Sequence, residues 1–571
     1  MTTSTQPAGV FAPLAAPILA AYPELSAEDI EFAAPPNMDL ADVAVRLFVA
    51  ARKLGTAPAK LAADIAQKID FGGAVIEAAT AGPYLNLRLD RPRFAKAIIG
   101  AIHSQGDRFG SKHSGAGQKV LVEHTSINPN ASPHVGRARN AMIGDSLVRM
   151  LRFEDYEVEV QYYVNDMGRQ IALLALVCED PSRKSFEEML QLYVEANERA
   201  LTEPDFAAKG YELLAKMEEG DQATRDHFFA ITELCLHGQL MVLARLGVNY
   251  DVFVRESKFV KDPRFEPLLD QLREREAVFV DDDERLVVDL QKLGHEPEEG
   301  RFFVLMRANG SSLYGYRDLA YTMDKADQAA DLNLIVLGED HKLYLQQLGL
   351  ILSVAGKTAP EPVYYAYILL REGKMSTRQG KVVLLSEFLD EATKRAGEKV
   401  ALQCIDLTPS EQQRIAAKVA VAAIRFAILR TSPTKNVIFD WDTSLSFSGD
   451  TGPYVQYSCA RIASILRKFG ELPAETPTDL PLDHDAEWAL MLKLSDFPSV
   501  VSVAVEQRSA TGIAQFALET ARHFTHFYHE CPVLNAESEA QRTARAALCQ
   551  ATFQTLRNAL FLLGIEALDR M

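Results

Sequence analysis

The sequence predicts an α/β protein with a Rossmann-type parallel sheet at its centre, a small α+β unit before it and an all-α helical bundle after it. Three observations carry that expectation. First, the chain runs from an apolar strand, VLVEHT, through a loop rich in turn residues, SINPNASP, into a helical stretch from about His134 to Phe153, and out through the strand EVEVQYYV. That order is a βαβ unit, which implies parallel strands and a ligand site at their carboxyl ends. Second, the same alternation resumes with LNLIVLGED, KLYLQQLGLILSVAG and VYYAYILL. Third, beyond about Pro409 apolar residues recur at helical spacing, with loops near Thr431–Ser446 and Leu472–His484, as in a helical bundle.

The unit ahead of the core covers about residues 36–110. Its stretch MDLADVAVRLFVAARKLGTAPAKLAADIAQKI has helical periodicity, and AVIEAATAGPYLNLRLD alternates as strands do. Gly106 to Gln118 is glycine-rich and polar, and reads as a linker. The expected domains are therefore 1–110, 111–405 with an inserted segment at about 179–300, and 406–571. The insert reads as helices followed by short strands around YDVFVRES and AVFVDDD.

Composition narrows the classes. A chain of 571 residues is too long for one core, and 48% hydrophobic with 24% charged residues is ordinary globular usage. No apolar run reaches the roughly 18 residues that span a bilayer. The apolar start GVFAPLAAPILAAY has no basic residue before it and is broken by Pro13 and Pro17, unlike a secretory signal. A cytoplasmic monomer without membrane association is the expectation. The six cysteines form no CxxC pair, so buried, reduced thiols are expected and no tightly bound protein metal. His523, His526 and His529 recur every three residues, but no neighbouring ligand completes a metal set; a helix face packed into the bundle is expected instead. A net charge of −18 argues against a general nucleic-acid binder, and so against DNA, while leaving room for a local basic track on RNA.

Two loops carry chemistry. Pro133-His134-Val135-Gly136-Arg137 lies between a strand and a helix. Gly136 allows a nucleotide close to the backbone, the helix start offers N–H groups, and His134 and Arg137 can donate to phosphate. A capping loop with a satisfied histidine fits this triplet equally well. In the second loop, Gly373-Lys374-Met375-Ser376-Thr377-Arg378-Gln379-Gly380-Lys381, Lys374 stands 240 residues after His134. The loop's glycines permit movement, and its cations suit charge developing on a transferring phosphoryl group; a solvated basic turn is the plain alternative.

In this order and spacing the two loops resemble the HIGH and KMSKS signatures of the class I aminoacyl-tRNA synthetases. VEHTSINPNASPHVGRARNAMIGDSL, MSTRQGKVVLL and DTGPYVQYSCARIASILRK resemble the arginyl-tRNA synthetase family more narrowly. The resemblance runs from about Pro36 to Met571 and is weakest over Glu179–Gly300. It implies a Rossmann-type class I synthetase catalytic core that makes arginyl-adenylate from L-arginine and ATP, with Mg2+ accompanying the nucleotide, and passes the arginyl group to the terminal adenosine of tRNA(Arg). In that family tRNA usually has to be bound before arginine is activated. The implied catalytic residues are His134, Gly136, Arg137, Lys374 and Ser376, with Met375 beside the ATP.

For arginine, the resemblance implies Glu123, Asn128, Tyr314 and Asp318, with His341 on the pocket wall beside Asp340. The residue types suit the task, because a guanidinium is held best by carboxylates and neutral acceptors. Glu123 ends the first core strand, and Tyr314 and Asp318 share a helix face by their spacing. Glu123 as a loop cap and an Asp318–Arg317 pair are the alternatives. For tRNA, the resemblance implies Tyr84 and Asn86 at the outer corner; Arg461, Arg467 and Lys468 put positive charge on the first bundle helix, where a solvated helix face explains them equally well. Two positions depart from the pattern: Arg137 stands where HIGH has its second histidine, and Gln379 where lysine is frequent. A non-catalytic synthetase-like paralogue and another HxGH nucleotidyltransferase are the competing expectations.

Overall fold

The computed structural model describes residues 11–33, 35, 40–129, 133–294, 300–308, 310–370, 373–374, 383–473 and 480–571. The chain divides into two compact units. The first takes in the chain up to His113 together with Arg395–Arg430 and Asp442–Met571, and the second holds Ser114–Lys394 and Thr431–Trp441.

In the first unit, strands β1 (Glu31–Ala33), β2 (Val43–Arg46), β3 (Val75–Ala81) and β4 (Tyr84–Leu89) form an antiparallel sheet in the order β1-β2-β4-β3. Leu85, Leu87 and Leu89 point into the core while Tyr84, Asn86 and Arg88 point out, the period-two pattern of a half-buried strand. The stretch expected to be helical throughout is not. Val43–Arg46 is a strand paired on both sides, with β1 and with β4, because two flanking ladders outweigh the local helical pattern. The helix Pro58–Lys68 does form.

The same unit contains a helical bundle that includes Gly452–Phe469, Asp485–Ser495, Thr511–Glu530 and Glu539–Leu562. Its contact with the sheet domain centres on Asp42, whose side chain is fully buried. Asp42 Oδ2 accepts from the Leu89 N–H at 2.8 Å, and Oδ1 accepts from Arg91 Nε at 2.9 Å and Nη2 at 2.7 Å. Arg91 also donates to Asp485 Oδ1 at 2.7 Å, and Trp488 Nε1 donates to the Asp42 carbonyl at 3.3 Å. The histidine face expected to be packed is so only in part: His523 is half-buried, whereas His526 and His529 are exposed, and Phe524 and Phe527 fill the bundle core. Phenylalanine loses more hydration cost on burial than imidazole, so the apolar stripe one residue away takes the interior.

The second unit is built on five parallel strands in the order β12-β11-β5-β6-β7. They are β5 (Lys119–Glu123), β6 (Glu157–Val164), β7 (Val252–Arg255), β11 (Leu332–Gly338) and β12 (Glu361–Tyr365). The expected βαβ unit is β5, the helix Val135–Phe153 and β6. The chain leaves β5 toward β6 on one side and returns as β11 on the other. This places a topological switch point, the usual ligand crevice, between the ends of β5 and β11.

The insert supplies the helices Phe186–Thr202, Pro204–Glu219 and Gln222–Ala244 around their own apolar core, followed by β8 (Val278–Val280) and β9 (Leu286–Asp289), which with β10 (Phe302–Met306) form a three-stranded sheet with β9 in the middle. VYYAYILL, expected as one strand, is two: β12 in the main sheet and β13 (Ile368–Leu370) in a small sheet with β14 (Gly373–Lys374) and β15 (Val437–Phe439). β15 falls inside the expected loop 431–446. Only pairing with β13 makes these three residues a strand.

The Asp42 cluster generates a stability prediction. Asp42→Ala leaves the Leu89 N–H without its acceptor and Arg91 with the more exposed Asp485 in place of its buried partner, and should cost about 1–3 kcal/mol. A urea transition followed by tryptophan emission should shift to lower denaturant accordingly, and an unchanged midpoint would contradict the role given to this carboxylate.

Candidate active site

The switch point is held open by a short strained loop. Thr125 and Ser126, one residue beyond β5, adopt φ of 74° and 44°, a region that side-chain-bearing residues enter only when their surroundings enforce it. The enforcement is visible. Asn140, on the helix Val135–Phe153, accepts from the Thr125 N–H at 2.6 Å and donates to the Val336 carbonyl of β11 at 2.8 Å, bridging both sides of the crevice. Ile127 N–H donates to the Tyr162 hydroxyl at 3.0 Å.

His134 caps the helix start with extended backbone, φ −88° and ψ 158°. Its ring lies across Gly136, where an added Cβ would come 2.9 Å from His134 Cε1. Partial burial, and then the Arg137 charge, lower the His134 pKa. The imidazole is therefore neutral near pH 7, able to donate a hydrogen bond without carrying charge.

Backbone links join this turn to the far end of the second loop. Val135 N–H donates to the Val383 carbonyl at 3.2 Å, Leu385 N–H donates to the Pro133 carbonyl at 2.7 Å, and His134 bridges Leu384. The loop's near end is the β13–β14 hairpin, in which Lys374 pairs with Leu369. Met375, Ser376, Arg378, Gln379 and Lys381 lie outside the described residues, and Lys374 is described in its backbone alone.

Four of the residues expected to hold arginine, Glu123, Asn128, Tyr314 and Asp318, lie near the sheet's carboxyl edge. Asp318 Oδ2 accepts from the Tyr344 hydroxyl at 2.6 Å, and the Tyr344 ring lies 5.6 Å from that of exposed Tyr314. Burial, with Glu123 adding to it, raises the Asp318 pKa to about 6. Arg317 does not pair with Asp318. It turns to Glu256, with Nε donating to Oε1 at 2.5 Å. Glu256 is buried, its Oε2 has no partner among the described residues, and burial raises its pKa to about 7 although Arg317 offsets part of the effect. Glu123 Oε2 accepts from Lys325 Nζ at 2.7 Å, and Lys325 lies 4.4 Å from the centre of the Tyr321 ring.

Asn128 and Tyr314 line one cavity of about 210 Å³ together with Gln170, Glu218 and Arg317. His341 is half-exposed in the turn after β11, with Nε2 3.7 Å from Asp340 Oδ2.

Glu256, Lys325 and Tyr344 were missed by sequence reasoning. Glu256 follows β7 just as Glu123 ends β5, so the rule that selected Glu123 reaches it too. Lys325 falls on the face of Tyr314, Asp318 and Tyr321, at helical spacings of four, three and four.

In the other unit, Tyr84 is partly exposed and meets Phe48 edge-on at 5.8 Å, with Asn86 on the same outer face of β4. Arg461 Nη2 donates to the Tyr457 hydroxyl at 2.9 Å, and its guanidinium lies 5.3 Å from the centre of the Tyr528 ring.

Comparisons with known proteins agree in direction. Residues 99–441 match the family described as tRNA synthetases class I (R), catalytic domain; residues 455–571 match the DALR anticodon binding domain and residues 13–89 the arginyl tRNA synthetase N terminal domain. An arginine–tRNA ligase of Methanopyrus kandleri is 39% identical, with 94% of this chain and 93% of that protein aligned. One from Methanosarcina acetivorans is 36% identical over 96% of each. The structure of Thermus thermophilus arginyl-tRNA synthetase superposes with a TM-score of 0.76 at 29% identity, covering 95% of this chain and 96% of that one.

The buried Lys325–Glu123 pair can be tested by itself. Lys325→Met leaves an unpaired buried carboxylate and should lower stability by about 3–5 kcal/mol, whereas the double variant Glu123→Gln/Lys325→Met should recover most of the loss. Urea unfolding of the three proteins measures this, and equal stability of the single and double variants would contradict the pairing.

Proposed function

From the premise that this chain belongs to the arginyl-tRNA synthetase family, and is a class I enzyme joining arginine to tRNA, we propose how its sheet edge performs the first step. ATP lies over the start of the helix Val135–Phe153. Gly136 admits its backbone-facing side, while His134 and Arg137 donate to phosphate oxygens. The observation that supports this most is the backbone seam between residues 133–135 and 383–385, which brings the second loop's exit to the first loop's helix start. Lys374, with Met375 and Ser376, then closes on the phosphates from the other side.

The donors at this helix start suit phosphate oxygens rather than a bare cation. Mg2+ therefore arrives on the ATP phosphates, where it neutralises their charge.

Arginine enters with its guanidinium toward Asp318 and the unpaired Oε2 of Glu256, with Tyr344 and Tyr314 flanking it. Asn128, Glu123 and His341 face its amino-acid end. A carboxylate oxygen of arginine attacks the α-phosphorus of ATP, the bond to the β-phosphate oxygen breaks, and pyrophosphate leaves with the electron pair. A hydroxyl of the terminal adenosine of tRNA(Arg) later attacks the arginyl carbonyl and releases AMP. Arg137 in place of a second histidine keeps a permanent cation at the phosphates.

The segment 1–110 takes the outer corner of the tRNA through Tyr84 and Asn86, by stacking and base-edge contact. The segment 406–571 takes the anticodon arm, with Arg461 among its contacts.

Arginine-dependent ATP/pyrophosphate exchange with and without tRNA(Arg) tests the assignment. Lys374→Ala should lower kcat for exchange by about 10²–10³-fold, the scale of losing one transition-state donor, with the arginine Kd within about twofold. Parallel losses in both would contradict a role confined to the transition state.

The raised carboxyl pKa values set a pH dependence. Both Asp318 and Glu256 must be ionised to hold a guanidinium, so arginine binding should release protons. Arginine affinity should weaken as pH falls through about 7 and then about 6, by up to about tenfold per pH unit for each group. Calorimetric titration of arginine at pH 5.5, 6.5 and 8, in buffers of different ionisation enthalpy, measures both effects, and a flat profile would remove these carboxylates from the pocket.

A further inference from the structure

Arg139 is five residues beyond His134 on the same helix and is fully buried, among the largest fully buried side chains of the protein. No carboxylate among the described residues lies within salt-bridge distance of it. Its guanidinium is met by four backbone carbonyls. Nη1 donates to Ala366 at 2.6 Å and Tyr367 at 3.1 Å, and Nη2 donates to Ser432 at 3.0 Å and Lys435 at 2.8 Å. Nε has no partner. A buried cation without a counter-charge is costly, and neutral acceptors compensate for it only when the geometry is good. Burial accordingly draws its pKa down to about 10, which still leaves it charged at neutral pH.

The four carbonyls belong to two segments that are themselves joined. Ala366 N–H donates to the Pro433 carbonyl at 2.9 Å, Val437 N–H donates to the Tyr367 carbonyl at 3.0 Å, and Tyr367 N–H donates to Asn436 Oδ1 at 3.0 Å. Beyond this junction the segments continue as β13 and β15, paired in parallel, and β13 turns into β14, which carries Lys374. The helix that begins at His134 is thus plugged, through one side chain, into the base of the hairpin that begins the second loop. Only a planar fork with two NH2 groups can serve both segments at once; an ammonium cannot span them in that plane.

We propose that Arg139 is a positioning residue for adenylate formation, fixing the separation between the phosphate-holding turn at His134–Arg137 and the Lys374 hairpin. It acts through placement and touches neither substrate. The inference rests on the role given to Lys374 above, and misplacement by about 1 Å at a reacting centre is enough to cost about 10²-fold in rate.

The test is a double-mutant cycle on the full chain. Arg139→Lys should lower kcat for ATP/pyrophosphate exchange by about 10–100-fold, with the arginine Kd within about twofold. Single-turnover transfer from preformed arginyl-adenylate to tRNA should stay within about threefold. In a Lys374→Ala background, Arg139→Lys should cost no more than about threefold, because the group it positions is gone. Fully additive losses, or losses of exchange, arginine binding and transfer in equal proportion, would overturn the proposal and leave Arg139 a purely structural cation. If Lys374→Ala alone leaves kcat unchanged, the reading of the second loop fails instead, and this inference with it. Should Arg139→Lys not fold, Asn436→Ala loosens the same junction from its exposed side and should show the same split at about 3–10-fold; its absence would equally overturn the proposal.

Discussion

Parallel pairing is the constraint from which the site follows. Because β12, β11, β5, β6 and β7 all run the same way, every carboxyl end reaches one edge, and each connection must cross back before the next strand begins. Residues far apart in the chain are thereby delivered to a common line: Glu123 from β5, Asp166 and its neighbours after β6, Glu256 after β7, and the turn Glu339–His341 after β11. The reversal between β5 and β11 then opens the crevice, and Asn140 fixes its width by bonding to both sides.

Burial turns that line of carboxylates into a pocket with a charge requirement. Glu123 is answered internally by Lys325 and Glu256 by Arg317, whereas among the described residues Asp318 has only the Tyr344 hydroxyl. The unanswered negative charge sits where two carboxyl groups have raised pKa values. A cation arriving there both ionises its hosts and replaces the water they lost. In the arginine site proposed above, a planar guanidinium with several donors would satisfy more of these oxygens than a single ammonium, so that selection among amino acids would begin with the internal ion pairs.

Much of this was legible in the residues and some was not. The βαβ core and the bundle announced themselves by period, since long amphipathic helices and buried strands write their own pattern. The short pieces did not. β2 reads as helix until its two neighbours are known, and β15 reads as loop because three residues carry no period. In the proposed site, Glu123 and His134 were singled out by their places at a strand end and a helix start, and Asp318 by its helical spacing to Tyr314, each alongside the family resemblance. Lys325, Glu256 and Tyr344 escaped because their significance lies in partners from other elements, and the outward turn of His526 and His529 was hidden by a competing stripe of phenylalanines.

The interleaved make-up of the two units has a consequence for synthesis. The second unit is complete once residue 441 has been made, whereas the first joins residues near the amino end to helices extending to Met571. Asp42 meets Trp488 and Asp485 only after they emerge from the ribosome. At about 5–20 residues per second, the stretch between His113 and Trp488 takes roughly 19–75 s to translate. For that interval the leading sheet domain must hold its bundle-facing surface without its partner, so the catalytic core is the first part of this chain able to mature.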